Sequence, residues 1–170
     1  MSATMAAIRP ATADDAEAIR VLVERAYRGD SARQGWTHEA DLIETDRTTI
    51  GELLGVIADP DKVMLIAPTE QGMIGTVTVT RIAADRCYLG MLAVDPRVQA
   101  GGLGRRLVAA AEQAARDHFG ATVMEMTVIA ARRELLAWYV RQGYAPTGET
   151  RLLPGMEDEL LRMEVLERPL

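Results

Sequence analysis

A single cysteine, Cys87, is present in 170 residues, so no disulfide can form within the chain. One thiol suits a reducing compartment. Its place in the apolar run Cys87-Tyr-Leu-Gly-Met-Leu92 reads as a small buried hydrophobe rather than a reactive group. Histidine is almost as scarce: His38 and His118 stand far apart, give no ligand constellation with one cysteine, and no metal is expected. No stretch approaches the ~20 consecutive apolar residues of a membrane-crossing helix, so no membrane partner is expected. The start, Met1 to Ala7, lacks the basic opening and long apolar core of a signal peptide, which makes the cytoplasm the expected location. No lysine/arginine-rich block occurs and the net charge is −6, which argues against nucleic acid and mildly favours a cationic or neutral partner.

What is present describes an ordinary globular domain. Hydrophobic residues make up 48% and charged residues 26% of the chain. Its length suffices for one domain with a real core, residues 1–170, and is short for two. Met5 to Pro10 reads as a short strand. Thr12-Ala-Asp-Asp15 resembles a capping box opening a helix with Ile19, Leu22, Val23, Ala26 and Tyr27 on one stripe. Arg28 to Gln34 is polar and reads as a loop, and Thr37 to Asp41 as the capped start of a short acidic helix. Thr49-Ile-Gly-Glu52 is a second capping box, followed by the stripe Leu53, Leu54 and Ile57 and ended by Asp59-Pro60.

Strands follow at Val63 to Ala67, Ile74 to Thr80 and Cys87 to Val94, separated by turns at Pro68 to Gly72 and Ala84 to Arg86, an antiparallel meander. A helix with Leu103, Leu107, Ala111, Ala114 and Ala115 on one face comes next. Thr122 to Val128 should be a strand beside Cys87–Val94. Arg132 to Gln142 should be the last helix, with Gly143 at its C-terminal cap, and the alternation of Leu161, Met163 and Val165 a final strand. Strands and helices interleave in one mixed α/β domain.

The chemistry concentrates at Gln99-Ala-Gly-Gly-Leu-Gly104. An apolar strand closed by Asp95-Pro96 precedes it, and the helix-former run Arg105-Arg-Leu-Val-Ala-Ala-Ala111 follows. A strand, a glycine loop and a helix N-terminus in succession form an anion site, because backbone N–H groups converge where the helix dipole favours negative charge. Gly101, Gly102 and Gly104 remove the Cβ atoms that would hold a phosphate away. The spacing is neither a Walker A loop, since Arg105-Arg106 follows Gly104, nor a Rossmann G-x-G-x-x-G.

Gln-x-x-Gly-x-Gly after a strand ending Leu92-Ala-Val94-Asp-Pro resembles the acyl-CoA signature of the GNAT superfamily of N-acetyltransferases. Trp138-Tyr139-Val-Arg-Gln-Gly143-Tyr144 is similar to the family's later Tyr-x-x-x-Gly-Phe/Tyr segment, while Arg132 stands where members often carry Asn. The resemblance implies the GNAT fold, a central, mostly antiparallel, splayed sheet flanked by helices. It implies acetyl-CoA as acyl donor, its pantetheine arm beside the backbone of Leu92, Ala93 and Val94 and its pyrophosphate on Gln99, Ala100, Gly101, Gly102, Leu103, Gly104 and Arg105. Arg97, Arg105 and Arg106 are candidates to add positive charge. It further implies Tyr139 as the acid that protonates the departing CoA sulfur: a phenol with a reference pKa near ~10 keeps its proton at neutral pH.

An attacking amine must lose a proton, and the base stays open among Glu125, Glu39, Asp41 and a water chain, with His38 and His118 also titratable. Specificity in such folds comes from the first helices and the strand-end loops, here Arg28 to Glu44, with Trp36 and the acidic Glu39, Asp41 and Glu44, and Gly148 to Asp158. The reading favours a small-molecule amine as acceptor. The alternatives are a protein or peptide acceptor, and a non-catalytic acyl-CoA sensor or scaffold. Homodimers are frequent in the superfamily, and no feature of this sequence demands one.

Overall fold

The computed structural model describes residues 7–28, 48–98, 102–152 and 162–170. Strand β1, Arg9–Pro10, is shorter than the sequence suggests, and what it would have gained at 5–6 lies outside the described residues. The expected capping box is present: the Asp15 carboxylate accepts from the Thr12 N–H at 2.8 Å, closing the turn Ala13–Asp15 that leads into α1, Ala16–Arg28. Helix α2, Ile50–Ala58, is capped by Thr49, whose hydroxyl oxygen accepts from the Glu52 N–H at 3.1 Å. Its Leu53 is buried and Ile57 packs against the core as expected, with Val56 beside it, but Leu54, expected on the same stripe, is 39% exposed.

Strands β2, Lys62–Thr69, β3, Gly72–Ala83, and β4, Arg86–Val94, form the meander. The first turn is tighter than the expected Pro68–Gly72, because the Thr69 hydroxyl donates to the Gly72 carbonyl at 2.8 Å and holds both flanking residues in strand. The helix α3, Leu103–Phe119, β5, Val123–Ile129, and α4, Arg133–Arg141, follow in the expected order. One strand was not foreseen: β6, Ala145–Arg151, falls partly in the stretch read as a loop. Its Pro146 and Gly148 suit an edge position, where a missing ladder donor costs least, and among the described residues it pairs only with β7, Met163–Pro169.

The sheet runs β1-β2-β3-β4-β5-β7-β6. All neighbours are antiparallel except β4 and β5. Helices α1 and α2 cover one face through Ile19, Leu22, Val23 and Leu53, against Met64, Ile66 and Ala93. Helices α3 and α4 cover the other, with Leu107, Val108, Ala111 and Tyr139 against Leu65, Val77, Cys87 and Leu89. Gly75 allows that approach: a Cβ there would stand 2.8 Å from Leu107 Cδ1. Cys87 is fully buried, and burial pushes its thiol pKa up, as befits a packed hydrophobe.

Two irregularities of β4 shape the site. It pairs with β5 only at Arg86↔Val123, Cys87↔Met124 and Tyr88↔Glu125; beyond Tyr88 the parallel strands part. Against β3, Thr76 faces Ala93 and Thr78 faces Gly90, so Met91 and Leu92 together oppose Val77 in a bulge, with Met91 at φ 51°. Below the bulge Cys87 and Leu89 face α3. Above it the alternation has shifted by one: Leu92 and Val94 pack on the α3 side and Ala93 on the α1 side.

Candidate active site

The end of β4 is fixed by Asp95. Its N–H continues the ladder to the Ile74 carbonyl at 2.9 Å, and its carbonyl accepts from the Val98 N–H at 2.8 Å. Its carboxylate, 1% exposed, accepts from the Arg97 N–H at 2.9 Å, from the Arg97 guanidinium at 2.9 and 3.1 Å, and from Arg25 of α1 at 3.0 Å. These bonds, those from Arg97 foremost, pull its pKa down to about 2. Sequence reading gave Asp95 only the part of ending a strand, since nothing local announces a partner in α1.

Gly102, at φ 70°, turns the chain into α3, where the Arg106 N–H makes a 3.0 Å bond to the Gly102 carbonyl. The helical amides before it, at Leu103, Gly104 and Arg105, have no acceptor within the helix. No acidic residue occupies the first turn, so this end keeps the positive pole of the dipole. Arg105 folds back over Gly102, its guanidinium 3.4 Å from where a Cβ would stand.

Above these amides opens a cavity of about 550 Å³ lined by Val94, Val98, Gly102, Leu103, Gly104, Arg105, Trp138 and Gln142. A Cβ at Gly104 would lie 3.5 Å from the Trp138 ring, so a longer side chain there would press on the wall or fill the space. The structure therefore brings Val94, Gly102, Leu103, Gly104 and Arg105 of the sequence-predicted set together in one hollow. Gln99, Ala100 and Gly101 lie outside the described residues. Leu92 and Ala93 stay in β4 on opposite sides of the sheet, and neither lines the cavity.

Three wall residues were missed: Val98, Trp138 and Gln142. Trp138 is half-buried and faces the cavity, as does Gln142 one helical turn on. Their i, i+4 spacing was the available signal, since it places both on one face of α4. Tyr139 lies beside this wall, 4% exposed, its ring edge-on to Trp138 at 4.9 Å and to Tyr144 at 6.0 Å between centroids.

The C-terminal end of α4 is tied down by a buried network. The Tyr144 hydroxyl donates to Glu112 of α3 at 3.0 Å, and Arg168 of β7 donates to both Glu112 oxygens at 2.9 Å and to the Gln142 carbonyl at 3.0 Å. Burial, followed by the Glu112 charge, drives the Tyr144 pKa far up.

Of the open base candidates, Glu125 is a buried carboxylate with both oxygens engaged: Oε1 accepts from Arg86 at 3.3 Å and Oε2 from Arg151 at 3.0 Å. His118 sits in the last turn of α3 against Phe119, about 22 Å along the helix from Leu103 at 1.5 Å per residue, far from the cavity. His38, Glu39, Asp41, Glu44 and Trp36 lie outside the described residues. Arg97 is committed to Asp95, and Arg132 caps α4 through its carbonyl, which accepts from the Leu136 N–H at 3.0 Å.

A bulged strand splays from its parallel neighbour next to a helix N-terminus where Gly102 and Gly104 carry no Cβ, an arrangement suited to an extended anionic ligand. The chain matches the family model "Acetyltransferase (GNAT) family" over residues 16–144, and it belongs to that family. Its structure is similar to PaiA N-acetyltransferase from Thermoplasma acidophilum in complex with coenzyme A, with TM-score 0.74, 17% identity and 100% of each chain covered. It is similar to the ribosomal-protein-S18-alanine N-acetyltransferase from Escherichia coli, with TM-score 0.73, 17% identity and 97% of this chain and 94% of that one covered. A nourseothricin acetyltransferase matches with TM-score 0.67, 22% identity and 98% and 99% coverage. No curated protein matches by sequence.

Proposed function

We propose that this member of the GNAT acetyltransferase family transfers the acetyl group of acetyl-CoA to a primary amine by direct attack in a ternary complex, with a small molecule as acceptor. The observation that carries the reading is the convergence of the end of β4, the first turn of α3 and the Trp138/Gln142 wall on one cavity. The residues fit the donor: the α3 amides suit a pyrophosphate, and Gly102 and Gly104 leave it room. Nourseothricin and spermidine N-acetyltransferases share the fold, as does the ribosomal-protein-S18-alanine enzyme, so the fold serves small and protein acceptors alike.

When bound, the donor supplies an activated thioester. The amides of Leu103, Gly104 and Arg105 hold its phosphates, with Arg105 adding charge. The backbone of β4 from Leu92 to Val94, released from β5, offers donors and acceptors to the amides of the pantetheine arm. A backbone N–H near Val94 steadies negative charge developing on the acyl oxygen, an effect of roughly 3 kcal/mol for such donors. Tyr139 donates the proton the departing sulfur needs.

The test is CoA thiol release from acetyl-CoA, read with a thiol-reactive dye, across amines, amino acids, polyamines, aminoglycosides and short peptides. Release above background with a small amine supports the proposal. Release with peptides alone moves the acceptor to protein. Silence across the panel, with acetyl-CoA binding retained, would leave a binding protein and refute the enzyme.

A further inference from the structure

On the sheet face turned away from α3, Tyr88 of β4 and Thr127 of β5 meet where the two strands part. Tyr88 is in the last paired position, opposite Glu125. Thr127, two residues further along β5, shares the Glu125 face by strand alternation. The Tyr88 hydroxyl and Thr127 Oγ1 are 2.5 Å apart, a hydrogen bond across the opening. The ring leans along β4 over Gly90, where a Cβ would come within 3.1 Å of Tyr88 Cε1. Glycine at this position lets the phenol lie down, and Thr127 keeps it there.

This bar closes one of three ways out of the cleft. A linear thioester entering beside Val94 and lying between β4 and β5 runs toward Tyr88, six residues down the strand and roughly 20 Å away at ~3.3 Å per residue. Straight ahead the gap ends, because β4 and β5 are hydrogen-bonded from Tyr88 back to Arg86. Toward α3 and α4 the gap is backed by Leu89, Met126, Val128 and Tyr139, all buried in the core. The remaining side is the one the Tyr88 ring crosses.

We infer that Tyr88, held by Thr127, sets the length of acyl chain the cleft accepts and restricts the donor to short straight-chain acyl-CoA thioesters, acetyl foremost. The inference rests on the acyl-CoA reading above and adds to it the residue that selects the donor. Packed interiors give way little, so each methylene beyond the available space is felt. The hydrogen bond gives the ring its stiffness; the ring supplies the bulk.

The experiment needs no acceptor: calorimetric binding of CoA, acetyl-CoA, butyryl-CoA and hexanoyl-CoA to the wild-type chain and to Tyr88→Ala, Tyr88→Phe and Thr127→Val. The wild type should bind CoA and acetyl-CoA comparably and hexanoyl-CoA about tenfold or more weakly. Tyr88→Ala should bring hexanoyl-CoA to within about threefold of acetyl-CoA while leaving CoA itself unaffected. Tyr88→Phe and Thr127→Val cut the same bond, so each should relax the penalty partly and the double variant no further. These milder variants decide the matter if Tyr88→Ala does not fold. A wild type that binds hexanoyl-CoA as well as acetyl-CoA, or variants that keep the full length penalty while binding CoA normally, would overturn the inference. Absence of binding of CoA and every thioester to the wild type would instead overturn the acyl-CoA reading on which it stands.

Discussion

Asp95 and Arg25 form a 3.0 Å ion pair that fastens the turn beneath the glycine loop to the first helix, 70 residues earlier in the chain. The carboxylate is buried while both of its guanidinium partners reach solvent, so the folded state holds the charged form tightly. A carboxyl whose pKa lies at about 2 in the fold, against a reference near ~3.9, stabilises the protein above that reference and loses its contribution as pH falls through 2. Asp15, likewise lowered to about 2 through Arg9, acts in the same direction. Asp95→Asn should therefore cost about 2 kcal/mol at neutral pH and flatten the stability profile between about pH 4 and pH 2, measured by denaturant titration along a pH series.

Gly104→Glu places a carboxylate against the Trp138 ring at the positive end of α3. Acetyl-CoA should bind about a hundredfold more weakly or worse, by calorimetry, with the fold intact by circular dichroism. Unchanged affinity would remove the phosphates from this loop.

Tyr139→Phe keeps the edge-on packing with Trp138 and Tyr144 and deletes only the hydroxyl. If Tyr139 is the acid, kcat should fall about a hundredfold while the Kd of acetyl-CoA stays within about twofold. Equal kcat in wild type and variant would return Tyr139 to a purely packing role.

Thr78 has a buried hydroxyl without a hydrogen-bond partner among the described residues. Val has the same shape without that cost, so Thr78→Val should raise stability by about 1 kcal/mol, seen as a higher Tm. A lower Tm would show that the hydroxyl is satisfied in solution.

Glu112→Ala strips Tyr144 and Arg168 of their shared acceptor and loosens the end of α4 that carries Gln142. Removing one member of a buried ionic network should cost about 3 kcal/mol in denaturant unfolding.

How much of this was legible depends on how local each signal is. The order of elements from β2 to α4 was readable, because Asp59-Pro60, Asp95-Pro96 and Gly143 punctuate runs of clear period. Four cavity residues, Gly102 to Arg105, were readable because glycines between a strand and a helix are local, while Val94 came only from the resemblance to the GNAT signature. β6 was not, since Pro146 and Gly148 mark a turn until a neighbour such as β7 supplies the ladder. Nor was the bulge: methionine has no preference for positive φ, and Met91 adopts it only because β3 fixes the strand on both sides. Glu125 could be singled out as a carboxylate within a strand. Its partners Arg86 and Arg151 come from two other strands, and only the assembled sheet reveals them.

The bulge at Met91 makes β4 a strand with a phase slip of one residue. Its lower half is in step with the packing around Cys87 and Leu89, and its upper half with the cleft. The register of this strand is thus a more sensitive quantity than its composition. Straightening the slip with every residue kept would leave each side chain near Val94 chemically unchanged, yet rotate the whole upper half so that Leu92 and Val94 faced the first helix.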